Sequence, residues 1–236
     1  HTKLNELTKI DKTNIRGAAI SAFAAHQLDR EDLYPFCKDP LDFIHIGNLD
    51  DGSKGKDKDK LVDAIAEQLR NQNAVWEPQG TTTRFGYQTQ ENLFFEPTGY
   101  VAALEKLIKA EINAYYSQRK AMKCSFMTEW PNDIQLNGWF VRLMGQGHQA
   151  DHIHQNGWLS GVVYLALPEN SKEDEGAIQF GLHGYNYPIV NEDYPKVLHR
   201  PEKGQIVLFP SSLFHKTVPI HAGEERLSIA FDLNPA

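Results

Sequence analysis

Residues 225–231 read Glu225-Arg226-Leu227-Ser228-Ile229-Ala230-Phe231, a clean two-residue alternation. Successive side chains on a strand point to opposite faces, so Leu227, Ile229 and Phe231 share one face while Arg226, Ser228 and Ala230 share the other. Such a strand needs a hydrophobic core on its apolar side. Working back from it, short apolar runs bounded by Gly, Pro and Asn recur at 139–144, 152–154, 161–165, 177–180, 205–209 and 216–220, and the last strand continues to 233. No long helical pattern interrupts them after Pro131. Many short strands at roughly even spacing predict an antiparallel sandwich or barrel.

The front of the chain has a different period. Residues 11–28 carry Ala18, Ala19, Ile20, Ala22, Phe23 and Ala24 and read as a helix. Leu61, Ile65 and Leu69 form a helical stripe over 61–71. The clearest helix spans 99–120, with Thr98 as its N-cap and Val101, Leu104, Leu107, Ile108, Ile112 and Tyr115 at helical spacing. Residues 43–46 look like an isolated strand, and 50–60 a charged, solvated loop in which Lys54 to Lys60 alternates with Asp57 and Asp59. The expected fold is α+β, mainly β: a double-stranded β-helix, or jelly roll, with N-terminal helices packed on the outside of one sheet. Residues 1–60 are expected to form a helical or irregular extension. Residues 61–236 are expected to form the jelly-roll domain with its supporting helices.

Composition narrows the function. The 236 residues are 41% hydrophobic and 23% charged, enough to bury a core. The formal net charge of -7 argues against a nucleic-acid or anionic-membrane surface. The two cysteines, Cys37 and Cys124, form no metal-type spacing and no disulfide framework, which favours a reducing, cytoplasmic setting. The chain begins at His1, so its natural N-terminus is expected to lie further upstream. A small-molecule or peptide substrate is the expected partner.

The chemistry-bearing residues lie on the strand-rich half. In Asp151-His152-Ile153-His154 the two imidazoles, one residue apart on a strand, would share a face. Alone, this pattern describes polar residues on a solvated face more often than a metal site. His215 follows Gly204-Gln205-Ile206-Val207-Leu208-Phe209-Pro210, read as a turn, an apolar strand, a proline stop and a short loop. That loop could hold a third imidazole over a barrel mouth. His199 and His221 read as peripheral, and His183 as a loop residue. Two histidines and a carboxylate form the facial triad of non-haem iron(II) oxygenases. Here the carboxylate position holds His154.

If the polar face of 225–231 is the barrel interior, Arg226 points inward. A buried guanidinium is costly without an anion. A carboxylate ligand would resolve that cost, with Ser228 and Tyr164 offering hydroxyls to the same oxygens. A salt bridge to a protein acid is the plain alternative.

At this point the chain resembles the iron(II)/2-oxoglutarate-dependent oxygenases, and most closely the oxygenase family often appended to tetratricopeptide repeats. The resemblance rests on Arg84-Phe85-Gly86-Tyr87-Gln88-Thr89, Trp139-Phe140-Val141-Arg142-Leu143, His152-Ile153-His154-Gln155-Asn156-Gly157-Trp158-Leu159-Ser160-Gly161, Arg200-Pro201-Glu202-Lys203-Gly204, Leu208-Phe209-Pro210-Ser211 and Glu225-Arg226-Leu227-Ser228-Ile229-Ala230-Phe231-Asp232. It covers residues 60–236. It implies His152 and His215 as iron ligands, with His154 where most of the superfamily has aspartate, although histidine is usual in this subgroup. It implies Arg226, Ser228 and Tyr164 as the 2-oxoglutarate-binding set. The implied reaction uses Fe(II), 2-oxoglutarate and O2, yields succinate and CO2, and hydroxylates an amino acid, a peptide or a small metabolite. His154 would be a third nitrogen ligand, or would lie outside the metal's immediate shell and leave a position open.

Candidate substrate contacts are Arg84, Gln88, Arg142 and Trp158, each of which, taken singly, reads more readily as ordinary loop or core. Two other classes fit parts of the pattern. A cupin-type three-histidine dioxygenase or isomerase would use the same histidines without 2-oxoglutarate, but would leave Arg226 and Ser228 without a role. A barrel that binds a ligand without turnover would need none of the chemistry.

Overall fold

The computed structural model describes residues 2–49, 59–169, 172, 174–221 and 223–235. The expected charged loop lies outside the described residues up to residue 58. Five helices are described: α1 (Thr2–Ile10), α2 (Ile15–Gln27), α3 (Lys60–Arg70), α4 (Gly99–Arg119) and the short α5 (Ser125–Thr128). The strands are β1 (His45–Asn48), β2 (Val75–Trp76), β3 (Thr83–Gln88), β4 (Ile134–Gln149), β5 (Leu159–Ala166), β6 (Ile178–Gly181), β7 (Lys196–His199), β8 (Gln205–Pro210), β9 (Phe214–Thr217) and β10 (Arg226–Pro235). Seven form one sheet in the order β1-β8-β5-β10-β4-β3-β2, and three form a second in the order β7-β6-β9. Every pairing is antiparallel, as the jelly-roll reading requires.

The large sheet is the middle layer, which explains the near-continuous burial of its central strands β5, β8 and β10. Val163, Leu165, Ile206, Leu208, Leu227, Ile229, Phe231 and Leu233 point to its outer face and pack with Ile65 and Leu69 of α3 and Leu104, Ile108, Ile112 and Tyr115 of α4. Val162, Tyr164, Val207 and Phe209 alternate with these and pack inward against Ile178 and Phe180 of the small sheet. Burying each such aliphatic or aromatic side chain contributes about 1.5–3 kcal/mol. β10 is central, paired with β4 on one side and β5 on the other. Its apolar face supports the helices, so its polar face must line the interior.

The helices behave as amphipathic covers. The expected stripe on α4 is buried at Val101, Leu104, Ile108, Ile112 and Tyr115, and the Tyr115 hydroxyl donates to the carbonyl of Phe43. Thr98 stands at its N-cap position but makes no side-chain capping bond. On α3 the buried face is Val62, Ile65, Ala66 and Leu69, one residue round from the expected Leu61. α2 begins later than expected because Asn14 caps it, its Oδ1 accepting from the Gly17 amide at 2.9 Å.

The described residues before 50 contribute to the core. β1 pairs with β8, and Tyr34, Phe36 and Phe43 are buried in the main cluster. The expected strand at 43–46 is shifted by two residues, because Pro40–Phe43 forms a 3-10 turn.

Candidate metal centre

His215 lies on β9, not on the expected loop over the barrel mouth. Its backbone pairs with Phe180 of β6 on one side. On the other it meets His152 in an isolated antiparallel bridge, each amide donating to the other's carbonyl at 3.1 Å. Residues 152–154 are not the regular strand expected from the alternation. After His152 the chain turns: the His154 amide donates to Ser211 O at 3.0 Å, and Gly157 N donates back to His154 O at 3.1 Å. The tertiary contacts, and not the strand period, bring His154 to its neighbours.

The three imidazoles converge. Ring centroids lie 4.2 Å apart for His152 and His215 and 5.0 Å apart for the other two pairs. One ligand atom from each falls within 4.8 Å of the others. Each Nδ1 faces an oxygen that can only accept: Ala150 O at 2.7 Å for His152, Asp232 Oδ1 at 2.5 Å for His154 and Leu213 O at 3.0 Å for His215. The ring protons therefore sit on Nδ1 and the Nε2 lone pairs are free. The Nε2 atoms of His152 and His154 lie 3.1 Å apart, and with each ring proton on Nδ1 their lone pairs face each other. Such lone pairs are brought together stably by a cation.

The electrostatics agree. Burial, and next the neighbouring His154, push the His152 pKa down to about 3. Burial, with His152 and His154 adding to it, also lowers His215 well below the usual imidazole range. Both rings are neutral near pH 7, the form that ligates a metal. Three nitrogen donors suit iron, and also zinc, nickel or copper.

The histidines line a cavity of about 470 Å³ together with Trp139, Val141 and the polar face of β10. Arg226 is on that face and only 2% exposed. Its Nη1 donates to Ser228 Oγ at 3.2 Å, and its guanidinium lies 4.9 Å from the Tyr164 ring centroid. No carboxylate pairs with it among the described residues, its Nε is buried without a hydrogen-bond partner, and the buried Tyr164 hydroxyl stands beside the guanidinium. The plain alternative, a salt bridge to a protein acid, is thus not what the structure has.

The substrate-contact expectations fare differently. Gln88, on β3, lines the cavity. Arg84 is exposed and folds back to donate to Thr81 O and Thr83 O. Arg142 sits on the opposite side of β4 from the cavity-lining Val141 and pairs with Glu225 at 3.1 Å. Trp158 is a core residue, its indole N–H donating to Phe126 O and its ring packed on Phe36 and Phe126. These three are removed from the cavity by ordinary local bonding and packing. Reasoning from sequence missed Asp232, although continuing the alternation 226, 228, 230 by one step finds it. It also missed Thr82, Gln149 and Tyr185, which reach the same cavity from three separate segments.

Comparison with known proteins agrees with the geometry. Residues 137–232 match the sequence model of the family described as "Putative 2OG-Fe(II) oxygenase". No curated protein sequence matches the chain. Among solved structures, a prolyl-4-hydroxylase from Pseudomonas putida is 16% identical with a TM-score of 0.57, over 82% of this chain and 92% of that one. A Trichoplax adhaerens prolyl hydroxylase, solved with a hypoxia inducible factor peptide fragment, is 16% identical with a TM-score of 0.56, over 98% of this chain and 92% of that one. HygX from Streptomyces hygroscopicus, solved with nickel and 2-oxoglutarate, is 15% identical with a TM-score of 0.53, over 82% and 83% respectively. At these identities the likeness establishes a shared fold.

Proposed function

We propose that this chain, a 2OG-Fe(II) oxygenase by the match over its barrel, couples decarboxylation of 2-oxoglutarate to hydroxylation of a C–H bond. The carrying observation is the pairing, in one cavity, of three converging Nε2 lone pairs with a buried arginine that has no anionic partner among the described residues. His152, His154 and His215 would hold Fe(II), and Arg226 would take the far carboxylate of 2-oxoglutarate. When bound, the iron and its cosubstrate supply the oxidising power that uses O2 and releases succinate and CO2.

The protein's part is placement. Arg226 offers a fork matched to a carboxylate, and a buried charge gains most from such a partner. Ser228 orients one guanidinium nitrogen, and Tyr164 places its hydroxyl beside the guanidinium. Val141, Val162, Ile178 and Trp139 give the cavity dry walls. Gln88, Thr82, Gln149, Asn156 and Tyr185 supply uncharged hydrogen-bonding groups around it, suited to an amino acid, a peptide segment or a small polar metabolite.

Protein prepared anaerobically with Fe(II) should develop a weak visible metal-to-ligand charge-transfer band on adding 2-oxoglutarate, and its melting temperature should rise. R226A should lose both responses while still binding metal. If neither response occurs in the wild type, the cosubstrate assignment fails, and a three-histidine site that does not use 2-oxoglutarate takes its place.

A further inference from the structure

We propose that Asp232 is a positioning residue for the metal centre. It holds His154 by Nδ1–H so that Nε2 faces the other imidazoles, and it sets one negative charge directly behind a ligand set that carries none. This rests on the reading of the three histidines as metal ligands.

The three imidazoles are not held alike. His152 and His215 donate to neutral backbone carbonyls two residues away in their own segments. His154 donates to a carboxylate 78 residues away on β10, at 2.5 Å. A bond to a charged acceptor is shorter and stronger than one to a carbonyl, and it makes the imidazole a better donor to a metal. The usual facial triad has a carboxylate as one ligand. Here the carboxylate stands one imidazole further out.

Asp232 is itself held in place. Ser160, its partner across the β10–β5 pairing, donates from Oγ to the same Oδ1 at 2.7 Å. Ser160 and Ser211 hydroxyls are 2.8 Å apart, and the Ser211 carbonyl accepts the His154 amide. One small network therefore fixes both the ring and the backbone of His154. Gly157 leaves room for it: a Cβ there would approach Ser211 Oγ to 2.6 Å and Asp232 Cγ to 3.0 Å. Asp232 is 8% exposed, so its charge is little screened.

The test uses the full chain, with Co(II) alone as the probe. Calorimetric titration of D232A should show affinity reduced by about 10–100-fold, the cost typical of losing an outer partner of a ligand. D232N, whose side-chain oxygen can still accept from Nδ1–H, should lose less. Long-range 15N–1H correlation spectra of metal-free protein should show His154 as the Nδ1–H tautomer in the wild type and released from it in D232A. The tautomer change does not follow from a loss of packing. If D232A does not fold, S160A and D232N carry the test, each with an expected fall in affinity. Affinity within twofold of wild type with an unchanged His154 tautomer, in every variant that folds, would overturn the proposal. A wild type that binds Co(II) but gives no response to 2-oxoglutarate would instead sink the oxygenase reading and leave this one standing.

Discussion

His152 and His215 exchange both of their backbone hydrogen bonds at 3.1 Å, although 63 positions separate them and His152 belongs to no strand. Facing residues in such a pair project to the same side, and their rings lie 4.2 Å apart. Two ligands are therefore set by backbone geometry, before any metal is considered. H215A should abolish specific binding of one metal ion per chain, a larger loss than the roughly 10–100-fold typical of outer partners. Retained stoichiometric binding, measured by calorimetry, would contradict the site.

Arg226 makes an opposite pair of demands on stability and binding. A buried cation without an anion is a net cost to the ligand-free protein. R226M should melt at or above the wild-type temperature without ligand. The wild type should gain about 2.7 kcal/mol from 2-oxoglutarate at a hundred times its Kd, and R226M nothing. Scanning calorimetry with and without 2-oxoglutarate checks both halves. A variant that is much less stable without ligand would mean that the guanidinium has an anionic partner in the protein.

Acid should weaken the metal-free protein through the two depressed histidines. His152 titrates near pH 3 when folded, and His215 is also well below its ordinary value, whereas both titrate near 6.5 when unfolded. The unfolded chain binds more protons in that window. Their contribution is therefore fully present above about pH 6.5 and is lost as pH falls toward 3. The melting temperature should drop on acidification from pH 7.5 to 4.5, by less in H152Q/H215Q than in the wild type. Equal drops would show that these rings are not the source.

Phe231 anchors the opposite face of β10. It is fully buried, and a Cβ on Gly161 would come within 2.2 Å of its ring. F231A should cost about 3–5 kcal/mol. Urea unfolding should show a lower midpoint at unchanged slope. A loss under 1 kcal/mol would mean that the sheet–helix interface is not a main source of stability.

Arg142 provides a control. It belongs to a partly exposed cluster in which Glu225 pairs with both Arg142 and Arg70. R142A should change stability by no more than about 1 kcal/mol. It should also leave the 2-oxoglutarate response unchanged. A lost response would return Arg142 to the cavity side of the argument.

The alternation over 225–231 carried much of this outcome. It placed Arg226 and Ser228 on one face and Leu227, Ile229 and Phe231 on the other, and the structure has them so. Asp232 was equally legible, one step further along the same face. The HxH segment was less so, because a three-residue alternation cannot distinguish a strand from a single bridge followed by a turn. Arg142 and Trp158 lie in resemblance segments beside site residues, yet they point into a surface ion pair and the core.

Periodicity is a local property of the backbone, so residue order alone determined which side chains of β10 could face together and which residue types could ligate a metal. Which of them meet depends on strand order and register. Only the placing of β10 between β4 and β5, and of β9 beside His152, decided that three imidazoles, an aspartate and a buried arginine share one cavity.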